Sequence, residues 1–215
     1  MLEPGEILHY VVLLVAILSL LITVSNLRFI DSLRDSPDSL HSDYPRYLVS
    51  ILVPARNEES GIEECLKGLS NQGYDPLEII VLDDNSTDRT AEIIESFEGS
   101  DKRIRMIKGV ESPVGWIGKQ WACEQLYRKA AGDYLLFIDA DTILAEGTVS
   151  AAVHESSVRG ADLLTVIPQR IASCLAERLL FPFMDWIIFC WMPMPAAHKK
   201  KNPYLSASYG QFMLF

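Results

Sequence analysis

The sequence has no excess of positive charge and no paired cysteines, and these absences exclude several classes of protein. Its 215 residues carry 19 Lys or Arg against 29 Asp or Glu, a formal net charge of −10. Nucleic-acid binding needs clustered basic side chains that neutralise phosphates, so we expect no nucleic-acid partner. The four cysteines form no C-x-x-C pair, which indicates neither a zinc cluster nor a disulfide framework. Isolated cysteines of this kind are typical of buried side chains in a reducing compartment.

The N-terminal segment has no charged residue over a long stretch. Residues 7–24 are all uncharged, close to the roughly 20 residues that cross a bilayer core of about 30 Å. No Lys or Arg precedes this stretch, which favours a membrane anchor over a cleaved signal peptide. Glu3 and Glu6 precede it, Arg28 and Arg34 follow it, and positive flanks stay on the cytoplasmic side. The sequence therefore predicts a single-pass protein of the cell (inner) membrane whose remaining chain is cytoplasmic.

The chain divides into four predicted segments. The anchor, 1–27, is followed by a linker, 28–47, that is rich in Asp, Ser and Pro. Over 48–170, apolar strands alternate with helical patterns, which predicts an α/β fold with a mainly parallel sheet and helices on both faces. The last segment, 171–215, contains an apolar stretch, 179–197, that three prolines interrupt. This stretch favours a helix in the membrane interface, and a core helix packed on the sheet is the alternative.

Polar residues follow three of the predicted strands, at the point where each strand ends. Ligands of parallel sheets bind outside the carboxyl ends of the strands, so we expect these residues at one edge. They are Arg56 and Glu58 after the first strand, Asp83 and Asp84 after the second, and Asp139 and Asp141 after the fourth.

The acidic residues suit two different tasks in nucleotide binding. Asp139 and Asp141 can present hard oxygens to Mg²⁺ or Mn²⁺, and a metal held in this way bridges the phosphates of a nucleotide. Asp83 and Asp84 can accept hydrogen bonds from a base or a ribose. The structural alternatives are a turn after the strand for the first pair, and a helix cap by Asp84 or Asn85 for the second.

Four segments resemble the family 2 glycosyltransferases, which have the GT-A fold. They are SILVPARNEE, VLDDNSTDRT, GWIGKQWAC and YLLFIDADT, and the resemblance extends over about residues 50–215. It implies inverting transfer of a sugar from a nucleotide diphosphate sugar, with a UDP-sugar as the expected donor. The GWIGK element is similar to that of members associated with hopanoids, carotenoids and ceramide. The resemblance therefore implies a membrane lipid or lipid-like acceptor at the cytoplasmic membrane face.

The resemblance also implies roles for particular residues. Asp139 and Asp141 would bind the divalent metal, Mg²⁺ or Mn²⁺. Lys119 would face phosphate, and the alternative is a solvated lysine at a helix start. Because Gln120 follows Lys119, this loop is not a Walker P-loop. The implied nucleotide-sugar-binding residues are Pro54, Ala55, Arg56, Glu58, Asp83, Asp84, Lys119 and Asp139.

Two features of the sequence leave other functions open. The catalytic acid and the Q-x-x-R-W motif of the family are not present, so we expect the general base beyond Phe215 and an incomplete, inactive fragment with an exposed apolar strand in SASYGQFMLF. A non-catalytic, membrane-tethered nucleotide-binding module is the alternative. LLFIDADTIL also fits a haloacid-dehalogenase-type phosphatase with Asp139 as nucleophile, but that motif normally opens its domain, and here a long α/β pattern precedes it.

Overall fold

The computed structural model of the chain describes residues 3–30, 33, 47–172, 174–199 and 208–215. The chain forms two compact units, which we describe separately. The sheet unit comprises Leu33–Pro168 and Ser208–Phe215, and the helical unit comprises Met1–Ser32 and Gln169–Ala207. Most of the predicted linker, 28–47, lies outside the described residues, so the domain boundaries proposed from the sequence stay predictions.

The described residues contain six strands and seven helices. The strands are β1 (Val49–Ala55), β2 (Leu77–Asp83), β3 (Ile104–Lys108), β4 (Tyr134–Ile138), β5 (Leu164–Thr165) and β6 (Phe212–Leu214). The helices are α1 (Pro4–Phe29), α2 (Ile62–Ser70), α3 (Thr90–Ser100), α4 (Gly118–Tyr127), α5 (Thr148–Arg159), α6 (Leu175–Trp191) and α7 (Met194–Lys199).

All six strands form one sheet in the order β3-β2-β1-β4-β6-β5. The first four strands along the chain are parallel to one another, because β1 pairs in parallel with both β2 and β4, and β2 pairs in parallel with β3. Strand β6 is antiparallel to β4 and to β5. The predicted α/β fold with a mainly parallel sheet is confirmed. Its parallel part places the carboxyl ends of β1, β2, β3 and β4 at one edge.

Helices cover both faces of the sheet, as the sequence predicts. Successive residues of a strand point to opposite faces. Ile51 belongs to a core cluster with buried side chains of α2, α3 and α5, while Leu52 packs with Ala122 and Leu126 of α4 on the other face. The apolar spacing in the sequence located α2 and α3 well. The sequence pattern also predicts a helix over 121–131, and the corresponding helix, α4, begins three residues earlier, at Gly118, and ends at Tyr127.

Part of the segment SASYGQFMLF is buried, contrary to the expectation from the sequence. Its strand, β6, lies between β4 and β5, and the side chains of Phe212 and Leu214 are 3% and 1% exposed, while that of Phe215 is 46% exposed. The expectation was wrong for β6 because this strand has partners on both of its edges, and the local pattern of an apolar strand does not specify those partners.

The helical unit contains α1, α6 and α7. Among the described residues, α1 is the one helix that is long and apolar enough to cross a membrane. Its fully buried Asn26 donates to the carbonyl oxygens of Phe189 and Met192, at 2.8 and 2.6 Å, and accepts from the backbone N–H of Met194 at 3.0 Å. This one side chain therefore satisfies backbone groups where α6 ends and α7 begins. Helix α6 continues through Pro182 and ends before Pro193.

Candidate active site

A cleft of about 230 Å³ lies at the carboxyl edge of the sheet. Eight of the nine residues predicted to bind a nucleotide sugar or its metal line this cleft, and Asp83 is the exception. The lining residues are Pro54, Ala55, Arg56, Glu58, Asp84, Gly118, Lys119, Ala122, Asp139, Ala140 and Asp141. The ends of β1, β2 and β4 and the first turn of α4 thus bring together residues that are far apart in the sequence.

Asp83 lies behind the cleft and supports the loop that follows β2. Its side chain is nearly buried, and its carboxylate accepts a hydrogen bond from the backbone N–H of Ser86 at 3.2 Å. Its backbone carbonyl accepts from Gly109 at 2.8 Å. Neighbouring Asp84 instead faces the cleft. The nucleoside role of Asp83 stays a prediction, and the contacts shown here are those of a turn.

A hydrogen-bond network joins the loops after β1 and β2. Asn57 adopts a positive φ of 55°, a conformation that asparagine tolerates better than most residues. Its side-chain oxygen accepts from the backbone N–H of Thr87 at 2.8 Å, and its own N–H donates to the hydroxyl of Ser86 at 3.0 Å. The N–H of Glu58 donates to the hydroxyl of Thr90 at 2.8 Å. The sequence around Asn85 predicts only a helix cap. It does not indicate that Asn57, Ser86 and Thr87 hold the two loops together.

Two cations face carboxylates of the cleft. Lys119 Nζ lies 2.6 Å from Asp139 Oδ1, and Arg56 Nη1 lies 3.4 Å from Asp84 Oδ2. In each pair the cation is more than half exposed, while the carboxylate is much less so. Exposed pairs of this kind contribute little to stability, about 0 to 1 kcal/mol. The cations are therefore available to a ligand at small cost to the fold.

Negative charge is concentrated around the end of β4. The pKa of Glu58 is raised, first by its partial burial and then by the neighbouring carboxylates of Asp141 and Asp139, while Lys119 acts in the opposite direction. In the described part of the chain, no three His, Cys, Asp or Glu side chains come close enough together to hold a metal ion by themselves. The hard oxygens of Asp139 and Asp141 fit a divalent cation that completes its coordination with phosphate oxygens of a ligand.

Two glycines, Gly109 and Gly118, lie beside Asp84. A Cβ atom at Gly109 would lie 3.1 Å from both Cα and Oδ1 of Asp84, and one at Gly118 would lie 4.0 Å from its Oδ2. Gly118 also opens α4, whose first turn has no side-chain cap. Free N–H groups at a helix N-terminus favour nearby anions. Neither glycine has a role predicted from the sequence, although Gly118 belongs to the GWIGK element and Gly109 directly follows β3.

The comparisons with known proteins identify a family for the chain. Residues 50–206 match the family model described as Glycosyl transferase family 2. Over 111 residues the chain is 36% identical to 4,4'-diaponeurosporenoate glycosyltransferase from Staphylococcus haemolyticus (strain JCSC1435), a match that covers 52% of this chain and 28% of that protein. The chain thus corresponds to less than a third of this relative's length.

Solved structures share the fold. The mannosyltransferase PcManGT from Pyrobaculum calidifontis, in complex with GDP-Man and Mn2+, superposes with a TM-score of 0.65 at 22% identity, over 92% of this chain and 52% of that one. TarS 1-349 of S. aureus in complex with UDP superposes with a TM-score of 0.51 at 26% identity, over 59% of this chain and 37% of that one. The sheet and its flanking helices are therefore those of glycosyltransferases with the GT-A fold.

Proposed function

The chain belongs to glycosyl transferase family 2, and on this premise we propose that its cleft binds a nucleotide diphosphate sugar for transfer to a lipid-like acceptor at the membrane. The observation that carries the proposal is the meeting of Arg56, Asp84, Lys119 and the acidic pair after β4 in one cleft. The proposed donor is a UDP-sugar, which the predicted pairing of carboxylates with a uracil N–H and ribose hydroxyls supports. The name of one relative, 4,4'-diaponeurosporenoate glycosyltransferase, specifies an acceptor, and this name supports an apolar acceptor for the present chain.

Each part of the cleft suits one part of the donor. Asp84, beside Arg56 and two glycines, can accept hydrogen bonds from a nucleoside. Lys119 and the uncapped first turn of α4 offer positive charge to a diphosphate. Asp139 and Asp141 would hold the divalent cation, which when bound supplies charge against the leaving diphosphate. These assignments agree with the roles that the sequence resemblance implied.

The transfer itself is proposed to invert the configuration of the sugar. The acceptor hydroxyl oxygen forms the new bond to the anomeric carbon, the bond from that carbon to the diphosphate oxygen breaks, and the acceptor proton passes to a general base. The role of this chain's residues is to hold the diphosphate so that its departure is favoured. Lys119 is suited to this role because its ammonium group is largely exposed and its ion pair with Asp139 is weak enough for a phosphate oxygen to replace it.

We propose that this reaction takes place at the cytoplasmic face of the cell membrane. Helix α1 supports membrane attachment by its length and composition. The charge difference between Glu3 and Glu6 before the apolar stretch and Arg28 after it supports the orientation. A reporter enzyme that is active only in the cytoplasm, fused after Asp43, should be active. Activity of a periplasmic reporter at the same position would reverse the orientation.

Calorimetry with the full chain in detergent tests donor binding. We expect UDP and a UDP-sugar to bind more tightly with Mn²⁺ or Mg²⁺ than with chelator, and GDP to bind more weakly than UDP. Asp141→Ala should lower the affinity for UDP measured with Mn²⁺ by about tenfold or more, because it removes a carboxylate ligand. The matched control is Glu95→Ala, an exposed acid on α3 outside the cleft, which should leave affinity unchanged. Equal affinities for Asp141→Ala and the unmodified chain would contradict the metal assignment.

The haloacid-dehalogenase-type phosphatase considered from the sequence receives no support from the family match. That hypothesis places Asp139 at the opening of its domain, whereas β1, β2 and β3 precede Asp139 in this chain. Hydrolysis of a phosphate monoester by the purified chain, lost in Asp139→Asn, would revive it. The non-catalytic binding module differs from the proposal in one measurable way, since it would bind UDP with metal but transfer no sugar.

A further inference from the structure

The loop between β3 and α4, residues 109–117, presents apolar side chains to solvent. Val114 is fully exposed, and Val110, Trp116 and Ile117 are 59%, 43% and 68% exposed. We call these four residues the apolar loop surface. Scattered exposed apolar residues are ordinary, but four within eight positions, one of them a tryptophan, form a patch of the kind that marks a binding surface. The cleft residues do not explain it, because none of the four lines the cleft.

The loop is held in place by specific contacts, so the exposure of these side chains is part of the fold. Trp121 of α4 donates from Nε1 to the carbonyl of Val110 at 2.9 Å, and its ring meets that of Trp116 edge to face at 5.3 Å between centroids. The N–H of Val110 donates to Gln125 Oε1 at 2.8 Å. Ser112 donates from its hydroxyl to the carbonyl of Trp116 at 3.2 Å. Contacts with α4 therefore hold the loop in a fixed conformation.

Three exposed basic side chains flank this surface. Lys108 precedes the loop and Lys119 follows it. Arg128 lies over the ring of Trp121 at 5.5 Å and is 60% exposed. Residues 108–128 carry these three cations and two Glu, a formal charge of +1, whereas the whole chain has −10. Lys119 and Arg128 pair with Asp139 and Glu124, so an anionic headgroup competes with these carboxylates for the two cations.

We propose that the apolar loop surface docks on an anionic lipid bilayer, with Val114, Trp116 and Ile117 entering the interface and the flanking cations meeting lipid headgroups. Tryptophan prefers the level of the headgroups, where its ring is apolar and its N–H is hydrated. Basic side chains near a membrane surface are attracted by anionic lipids. An apolar tip that includes a tryptophan, with cations on its flanks, fits a lipid surface better than a protein surface, because it matches both layers of the interface.

This docking is independent of the transfer reaction, but it affects where the cleft lies. Gly118 and Lys119, which line the cleft, directly follow Ile117 of the loop. A bilayer that holds Trp116 and Ile117 therefore lies within a few residues of the diphosphate-facing lysine. The loop would keep the edge of the cleft at the lipid surface, where an apolar acceptor is presented.

Fluorescence quenching in liposomes tests the docking. The full chain, with Cys123→Ser and Cys174→Ser, receives Val114→Cys and is labelled there with an NBD fluorophore. The remaining native thiols label slowly, since Cys65 and Cys190 are buried and burial raises the pKa of Cys65 to about 12. Val114 makes no packing contact that the substitution would remove, because its side chain is fully exposed. The protein is reconstituted in synthetic phosphatidylcholine and phosphatidylglycerol, with or without brominated acyl chains.

We expect brominated lipid to quench the label at position 114 by about twofold, as for a group at the membrane interface. The matched control is Val158→Cys, on α5, which is similarly exposed at 62% and should not be quenched. No quenching at 114, or equal quenching at both positions, would overturn the proposal. A surface that binds only an acceptor molecule would also show no quenching, because these liposomes contain no acceptor.

Lipid composition and a polar substitution provide a second readout. Quenching at position 114 should weaken in phosphatidylcholine alone and at high salt, because the attraction of basic groups is screened. Ile117→Gln in the labelled protein should weaken quenching while the affinity for UDP in detergent is retained, because glutamine removes an apolar side chain and adds no charge to the first turn of α4. Quenching that does not depend on lipid charge, salt or Ile117→Gln would overturn the proposal. Loss of UDP binding with quenching intact would instead count against the proposed function alone.

Discussion

The two ends of the parallel strands use their acidic residues in opposite ways. At the amino ends, Glu78 accepts from the hydroxyl of Ser50 and from the backbone N–H of Ala131 at 2.8 Å, and Asp133 accepts from the N–H of Leu48 at 3.0 Å. At the carboxyl ends, the carboxylates of Asp84 and Asp139 face exposed cations in the cleft. Glu78 and Asp133 at the amino ends are bound to the chain itself, whereas Asp84 and Asp139 at the carboxyl ends are available to ligands. Asp83 is the exception at the carboxyl ends, because its carboxylate holds the loop after β2.

This difference indicates where substitutions will affect stability and where they will affect binding. A buried donor left without its acceptor costs about 1 to 3 kcal/mol, whereas an exposed ion pair contributes about 0 to 1 kcal/mol. Removing an interaction at the amino ends should therefore destabilise the fold. Removing one at the carboxyl ends should change affinity for a nucleotide and leave the fold almost unchanged.

The largest effect on stability is expected at Gly132, before β4. Its N–H donates to Ser50 Oγ, and an added Cβ would lie 2.6 Å from the backbone nitrogen of Ser50 and 2.8 Å from the carbonyl oxygen of Leu48. Gly132→Ala should lower the free energy of unfolding by about 3 kcal/mol, because β1 must move. Denaturant titration followed by circular dichroism measures it. Gly99→Ala, in α3 with open space around the added Cβ, should be neutral or stabilising by up to about 1 kcal/mol. Equal effects would contradict the close approach.

The next largest effect is expected at Glu78. Glu78→Ala leaves the buried hydroxyl of Ser50 and the N–H of Ala131 without this acceptor, so the free energy of unfolding should fall by about 2 kcal/mol. The same denaturant titration measures the change. Glu95→Ala on the exposed side of α3 should change it by less than about 0.5 kcal/mol. If Glu78→Ala lowers the free energy of unfolding no more than Glu95→Ala does, the hydrogen bonds at the amino ends contribute no more to stability than exposed surface residues.

A pH-dependent effect is expected at Asp101, before β3. Its hydrogen bond from Arg103, whose guanidinium also donates to the carbonyls of Ser70 and Gln72, lowers the pKa of the Asp101 carboxyl. The folded state therefore holds this proton more weakly than the unfolded chain. The stabilisation is complete above the unfolded value, about 3.9, and is lost as pH falls through the lower folded pKa.

Asp101→Asn should accordingly lower the free energy of unfolding by about 1 kcal/mol at pH 7 and flatten its dependence on pH below about 4. Thermal unfolding at a series of pH values compares the variant with the unmodified chain. If Asp101→Asn loses as much stability at low pH as the unmodified chain does, other carboxylates are responsible for the loss.

The smallest effect on stability is expected at Lys119, in the cleft. Lys119→Met removes an exposed ion pair with Asp139, so the free energy of unfolding should change by less than about 0.5 kcal/mol. The affinity for UDP, measured by calorimetry with Mn²⁺, should fall about tenfold, since a charge-assisted hydrogen bond to phosphate contributes about 1.5 kcal/mol. Lys102→Met, a lysine before β3 and outside the cleft, is the matched control. A Lys119→Met variant that unfolds easily but binds normally would reverse the contrast between the two ends.

Much of the sheet unit was predictable, because its signals are local. The apolar spacing of Ile62, Cys65, Leu66 and Leu69 marks one buried face of α2, and all four side chains are fully buried. The apolar runs that form β1, β2 and β4 end in polar residues, and all of those predicted for the site except Asp83 line the cleft. Parallel pairing then places the carboxyl ends of these strands at one edge of the sheet. The prediction that the cysteines are buried held for Cys65 and Cys190 and was wrong for Cys174, which is exposed at the start of α6.

The sequence by itself determined the kind of elements, their order and the chemistry at the strand ends, since strand and helix periods and turn residues act over a few neighbouring positions. Only the tertiary structure decided which distant groups meet. Lys119 reaches Asp139 across 20 positions, and Asn26 reaches Met192 across 166. Strand β6 enters between β4 and β5 by the same kind of long-range pairing. The sequence of an apolar strand or of a segment with a buried amide indicates that a partner is required. Its neighbours along the chain do not specify that partner, because the partner depends on the packing of the whole unit.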